Sequence, residues 1–350
     1  MQEKKSIGSK SKTESTSAPA KATADKTSVR KVRKAAAPRA TKAPRPSAPA
    51  KARPAVTRSR RPAVQADSLS ILLIASEAEP FVRTSTVADL AGALPQALAR
   101  LGHRVTLVIP RYAGIATAGE GSPVALQFGD RTVIVTLRER HVSDHLTVVF
   151  VDAPELFERQ HLYGEPGTDY PDNAWRFGVF CRAAIEYARL RGERPSVIHA
   201  HDWQAGLVPV FQKMLFPNDP VVGGVPVVFT IHNLAFQGVF PASTIRDLAL
   251  SWEVFDVQAL EYWGQISYLK GGINFSERIT AVNPHGSADI LTHEGGFGFE
   301  GVLRRRAEAL SGIPSGTDSQ SWDLSAGDYV KVYRDAGAGR PAEAPLKAEA

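Results

Sequence analysis

At 350 residues, 43% hydrophobic and 22% charged, the chain has the composition of a soluble globular protein with room for one large domain or two ordinary ones. No run approaches the roughly 18 apolar residues that span a bilayer, which excludes a transmembrane helix and predicts no membrane partner. The net charge is +6, and it is unevenly spread.

Residues 1–67 hold 18 Lys and Arg against Glu3, Glu14, Asp25 and Asp67, a net +14, so the rest of the chain carries −8. The segment is built mostly from Ala, Lys, Arg, Pro, Ser and Thr and has no aromatic residue. It cannot bury enough apolar area to offset the entropy of ordering, so a disordered basic tail is expected over 1–68. Three roles stand open for it. It is a solvated, non-specific arm, a polyanion-binding arm that attracts phosphates by charge, or a transit peptide that would send the chain to a plastid. The early Glu3-Lys4-Lys5 counts against the last. No apolar core of a secretory signal follows the N-terminus.

At Ser70 the composition changes. Ile71-Leu72-Leu73-Ile74-Ala75 has the pattern of a strand buried on both faces. After a loop, Val87, Leu90, Ala91, Leu94, Leu98 and Leu101 recur at helical spacing up to Gly102. Val105–Ile109 is the next strand, stopped by Pro110. This opening predicts an α/β fold with a doubly wound parallel sheet. Val133–Leu137 and Thr147–Val151 read as a hairpin insertion. Trp175–Leu190 reads as a helix, Ser196–His199 as a short strand and Trp203–Leu215 as a helix. Val227–Ile231 and Ile279–Val282 are further strands, the second followed by a helix from about Pro284. The single cysteine, Cys181, lies in the first of these helices and reads as a small buried residue, with a reactive thiol as the alternative. One thiol makes no internal disulfide or cysteine metal site, and a reducing compartment fits it. There is no internal repeat and no Walker loop.

In such sheets ligands bind beyond the carboxyl ends of the strands, and polar residues gather there. The clusters are Ser76-Glu77 through Asp89, His199 through Gln204, His232 through Gly238, and Asn283-Pro284-His285. A fifth, Tyr170 through Asn173 with Arg176, precedes a helix. Singly each has a structural explanation: Asp202 and Asn283 as helix caps, His232-Asn233 as a turn. Together they make a cleft suited to a hydroxyl-rich ligand, which needs many directional hydrogen bonds and an aromatic face. Zinc held by His199, His201 and His232 is the alternative.

The segments "ILLIASEAEPFVRTSTVADLAGALPQALARLGHRVTLVIPRY", "PDNAWRF", "VIHAHDWQAGLVPVF", "VVFTIHNLAFQGVFP", "GQISYLKGGINFSERITAVNP" and "GFGFEGVLRRRAEALSGI", in that order, resemble the ADP-glucose-dependent glycogen and starch synthases. These are retaining glycosyltransferases of the two-domain GT-B type. The resemblance spans about residues 70–325 and implies that 69–325 is the Rossmann-like N-terminal, acceptor-side domain. It implies an α-1,4-glucan as acceptor, ADP-glucose as donor, no metal or other cofactor, and a bacterial cytoplasmic setting. It places His201 beside the transferring glucose and Asp89, with Arg83, Ser85 and Thr86, near the donor phosphates. His199, Asp202, Trp203, Gln204, His232, Asn233 and Gln237 would shape the cleft. Asp172, Asn173 and Arg176 would support the acceptor side.

Two departures stand against this pattern. The family's K-T-G-G-L-A-D loop is Arg83-Thr84-Ser85-Thr86-Val87-Ala88-Asp89 here, and the lost glycines would have let backbone N–H groups approach a phosphate. After the match of residues 310–323 to the family's interdomain segment, the sequence drifts away from the family's donor-binding domain, and 326–350 reads as disordered. Three functions compete. The chain is a synthase whose donor wall comes from a separate chain, a module that binds glucan or a synthase without turnover, or a domain tethered to a polyanion by its tail. An apolar interdomain face would favour self-association or a partner.

Overall fold

The computed structural model describes residues 68–117, 121–282, 284–317 and 319–339. The expected basic tail, Asn283 and residues 340–350 lie outside the described residues.

Strand β1 (Ser70–Ile74) leads into α1 (Thr86–Arg100), β2 (Arg104–Pro110), β3 (Ser122–Phe128), β4 (Arg131–Ser143) and β5 (Leu146–Asp152). A short α2 (Pro154–Phe157) and the strand pair β6 (Gly164–Glu165) and β7 (Thr168–Asp169) precede the long α3 (Asn173–Arg191). Next come β8 (Val197–His201), α4 (Val208–Leu215) and β9 (Val227–Ile231). The short β10 (Val239–Pro241), α5 (Thr244–Asp247), β11 (Glu261–Tyr262) and β12 (Gln265–Ser267) lead to α6 (Tyr268–Phe275). Then follow β13 (Arg278–Ala281), α7 (Pro284–Asp289), α8 (His293–Gly296), α9 (Glu300–Arg305), β14 (Leu310–Gly312) and α10 (Ser319–Ala338).

Nine strands form one sheet in the order β14-β13-β9-β8-β1-β2-β5-β4-β3. All neighbours from β14 to β5 are parallel, and β4 and β3 add an antiparallel edge. The expected doubly wound α/β fold is therefore present. The segment read as a hairpin insertion is instead the continuation of the main sheet. Val148 to Val151 of β5 are all buried, which suits a strand paired with β2 on one side and β4 on the other. In the centre, every residue of β8 and β9 is buried, as parallel strands covered on both faces require. Side chains alternate along β9. Phe229 turns to α6, where a Cβ on Gly272 would collide with its ring, while Thr230 turns to the face carrying α10.

That helix overturns the expectation of disorder from residue 326. Trp322, Ala326, Tyr329, Val330, Tyr333 and Ala336 are buried at the three- and four-residue spacing of one helical stripe. The stripe packs on α1 and on β8 and β9. Tyr333 is 2% exposed, and its hydroxyl lies 2.8 Å from His199 Nδ1 on β8. Small and polar residues between the anchors hide the pattern from composition, but burial of the aromatic rings supplies the helix's stability.

Tyr333→Phe keeps the ring and leaves a buried imidazole nitrogen without its partner, a loss of about 1–3 kcal/mol. Urea unfolding of this variant should show a drop in that range. A change below about 0.5 kcal/mol would mean that the bond does not anchor the helix.

Candidate active site at the strand ends

The chain leaves β1 toward β2 on one side, and β8 lies on the other. The crevice between loops that leave in opposite directions is where α/β sheets bind ligands. Here the loops after β1, β8 and β9 enclose a cleft of about 580 Å³. Of the expected site residues, Ser85, Thr86, Asp202, Trp203, Gln204, His232, Asn233 and Gln237 line it, together with Glu77, Tyr163 and Phe236.

His201 and His199 lie beneath it. Strand β8 runs two residues further than its polarity suggested and includes both, so their rings share a face, with centroids 4.1 Å apart. His199 is committed at both nitrogens, Nε2 at 2.6 Å from Thr230 Oγ1 and Nδ1 to Tyr333. His201 Nδ1 is 3.1 Å from His232 Nε2, and its buried Nε2 has no partner. Burial pushes His199 and His232 down to about 3 and His201 well below the usual imidazole range, so all three are neutral at pH 7. With His199 bound to two hydroxyls, the three rings do not converge on a cation. Among the described residues no group of three or more His, Cys, Asp or Glu could hold a metal.

Asp202 does not cap a helix. Its side chain makes no capping bond to the 3₁₀ turn that follows. Oδ1 instead accepts the His232 backbone N–H at 2.8 Å. Its backbone stands at φ 54°, ψ −176°, a region that is nearly glycine-only and costs on the order of 1–3 kcal/mol. Burial raises its carboxyl to about 7, against the pull of the His232 and Asn233 amides. Asn233 does form a turn, its Oδ1 accepting Ala235 N–H at 2.9 Å. Trp203 is only 7% exposed and packs edge-on against Phe177 at 4.9 Å. It is the cleft's floor, approached so closely by Gly238 that a Cβ there would sit 2.7 Å from the indole.

The loop after β1 is satisfied from within. Glu77, 1% exposed, accepts the N–H groups of Thr84 and Ser85, the Ser85 hydroxyl at 3.0 Å and the Tyr163 hydroxyl at 2.6 Å. Ser85 also caps α1 through Val87 N–H. Arg83 pairs with Asp89 at 2.7 Å, and these bonds raise its guanidinium further above its usual range. Neither residue lines the cleft.

Asp172, Asn173 and Arg176 are not at the cleft wall either. Asp172 binds Arg159 through both oxygens. Arg176 is fully buried and donates to Leu156 O and Asn173 Oδ1, both at 2.6 Å. Asn173 donates to Tyr163 O at 2.7 Å. Asn173, braced by Arg176, thus carries Tyr163, which faces the cleft and holds Glu77. Nothing in Tyr163's own sequence neighbourhood marks it as a site residue, and Glu77 lies in the first polar cluster without a sequence feature that sets its role. Cys181 is buried, and burial raises its thiol to about 12, so it is the core residue expected and not a reactive thiol.

These shifts fix a pH dependence. The unfolded chain takes up imidazole protons below pH 6.5 that the fold refuses until far lower pH, so stability is lost as pH falls through that window. Asp202 opposes this, because between about pH 4 and 7 the fold holds a proton that the unfolded chain has released. Three imidazoles outnumber one carboxyl, so unfolding free energy should fall between pH 6.5 and 4.5, by at most about 2.7 kcal/mol per unit. Asp202→Asn should steepen the fall by up to about 1.4 kcal/mol per unit. Urea titrations that are flat with pH, or a shallower slope in the variant, would contradict the neutral-histidine site.

Comparison with known proteins agrees with this geometry. Residues 70–305 match the model of the starch synthase catalytic domain. Glycogen synthase of Anaeromyxobacter dehalogenans is 40% identical over 267 residues, which cover 76% of this chain and 56% of that protein. Glycogen synthase of Koribacter versatilis is 38% identical over 265 residues, 75% and 54% of the two chains. Among solved structures, the catalytic domain of starch synthase IV from Arabidopsis thaliana, bound to ADP and acarbose, superposes with a TM-score of 0.64 at 28% identity, covering 73% of this chain and 53% of that one. The chain spans just over half the length of the relatives it matches. By this match the chain belongs to the starch synthase catalytic domain family.

Proposed function

We propose that this domain is the acceptor-side half of a retaining glucosyltransferase, holding the non-reducing end of an α-1,4-glucan while glucose is transferred from ADP-glucose. The observation that carries the reading is the cleft itself. Asp202, Asn233 and Gln237 offer directional polar groups beside the uncharged imidazole of His232, which rests on that of His201. Imidazoles kept neutral do not repel the positive charge that builds at the anomeric carbon in the transition state, and His201, expected beside that carbon, reaches the cleft through His232. The Arabidopsis relative bound to ADP and acarbose supports the substrate class. The bacterial relatives favour a bacterial cytoplasm over a plastid as the setting.

Transfer also needs a donor held against this wall and water excluded. A separate donor-domain chain would supply the opposite wall. A second reading, binding without turnover, draws on one observation: Glu77 and Asp89 already engage Thr84, Ser85 and Arg83, so a phosphate meets few free donors on this loop. Polyanion binding by the basic tail rests on its charge alone.

A polypeptide of these 350 residues should bind maltoheptaose with an affinity of about millimolar, as an open sugar site buries little area against water. His232→Ala and Asn233→Ala should each weaken binding about fivefold or more in NMR titrations. The same polypeptide should incorporate no glucose from ADP-glucose into glycogen. No binding at about ten times that concentration would sink the glucan reading, and incorporation would show that one wall suffices.

A further inference from the structure

Among the described residues four non-glycine residues have positive φ: Asp202, Ala249, Trp263 and Phe297. Bulky side chains rarely adopt this conformation, and it tends to persist where function holds it. Asp202 is in the cleft. Trp263 and Phe297 are connected to it by a short chain of contacts. The cleft residue Gln237 donates its Nε2–H to Phe297 O at 2.8 Å. A Cβ on the next residue, Gly298, would lie 2.8 Å from the Tyr262 hydroxyl, and Tyr262 stacks on Phe299 with centroids 4.8 Å apart. Trp263 follows Tyr262 at the tip of the β11–β12 hairpin, and β12 pairs with β10, which continues directly from cleft residue Gly238.

The tip is a two-residue turn, Trp263-Gly264, with φ of 53° and 78°. Two positive φ values define the type I′ hairpin turn, whose first position strongly favours Asn, Asp or Gly. Tryptophan is a poor choice for that backbone, and its ring is not repaid by burial, being 86% exposed. Phe297 is 55% exposed and Phe236, on the cleft wall, 63%. Three exposed rings stand at or next to residues of this chain of contacts, two of them on unfavourable backbone conformations, and they suit a ligand that offers repeated C–H faces to aromatic surfaces.

We propose that Phe236, Phe297 and Trp263 form an aromatic path that takes successive glucose units of an α-1,4-glucan beyond the cleft; the proposal rests on the reading of the cleft as a glucan site. A chain that reaches Trp263 binds more tightly than one confined to the cleft. Long acceptors are thereby selected over short ones.

The test compares maltotriose with maltoheptaose by NMR titration on the parent, Trp263→Asn and Phe297→Asn. Asparagine tolerates the left-handed region, and Asn-Gly is the preferred type I′ pair, so Trp263→Asn should keep or raise the melting temperature. Maltoheptaose affinity should fall about fivefold in each variant, with maltotriose affinity unchanged within about twofold. Maltoheptaose should also quench parent fluorescence more than it quenches that of Trp263→Asn. Equal losses for both sugars, or no loss for either in folded variants, would overturn the path while leaving the cleft reading standing. Failure of the parent to bind either sugar would remove both.

Discussion

Burying hydrogen-bonding side chains at the ends of β8 and β9 obliges each to find a partner, since an unpaired buried polar group forfeits its interactions with water. That constraint organises the molecule. His199 satisfies it through Thr230 and Tyr333, and so it needs α10 across the sheet face. Thr230 reaches on to Thr280 at 2.6 Å, linking three neighbouring strands side chain to side chain. Asp202 satisfies it by accepting the His232 N–H, at the expense of a backbone conformation that suits glycine. His201 Nε2 is left over.

The same rule acts on the loop after β1. A carboxylate as buried as Glu77 is stable only among donors, and it gathers two backbone N–H groups and two hydroxyls. One of those hydroxyls belongs to Tyr163, whose main chain is held by Asn173, itself held by Arg176. A residue group that reads as an acceptor contact is thus a buttress standing one step behind. Its influence on the cleft passes through a single phenol.

How far the sequence disclosed this can be argued element by element. Strands dominated by β-branched and aromatic residues, such as Val227–Ile231, are legible to the residue, because parallel strands buried on both faces favour such runs. The end of β8 was misplaced because His199 and His201 are polar, and polarity in a buried strand is legible only when the partners across the sheet are known. The stripe of α10 is interrupted by Asp, Ser, Gly and Lys, so its tyrosines declare themselves only against the surface that covers them. Cleft residues such as Asp202, His232, Asn233 and Gln237 were legible because strand ends are where such folds bind. Tyr163 was not, being separated by 86 residues from the carboxylate it serves.

These arrangements give the two sides of the cleft different readiness. On the side formed after β9, Asn233 is fixed in its own turn and Gln237 is tied to Phe297 O, so the wall is set without help from any ligand, and ordering costs little on binding. On the side formed after β1, the donors that an anion would use are already bonded to Glu77, and Arg83 to Asp89. A phosphate reaching for Arg83 or for the Thr84 and Ser85 N–H groups competes with these carboxylates, which would also repel it. These occupied donors therefore bias this side of the cleft against an anion. The bias comes from occupied donors, so it follows the backbone and hydroxyl bonds of Glu77 more closely than the identity of the cation at position 83.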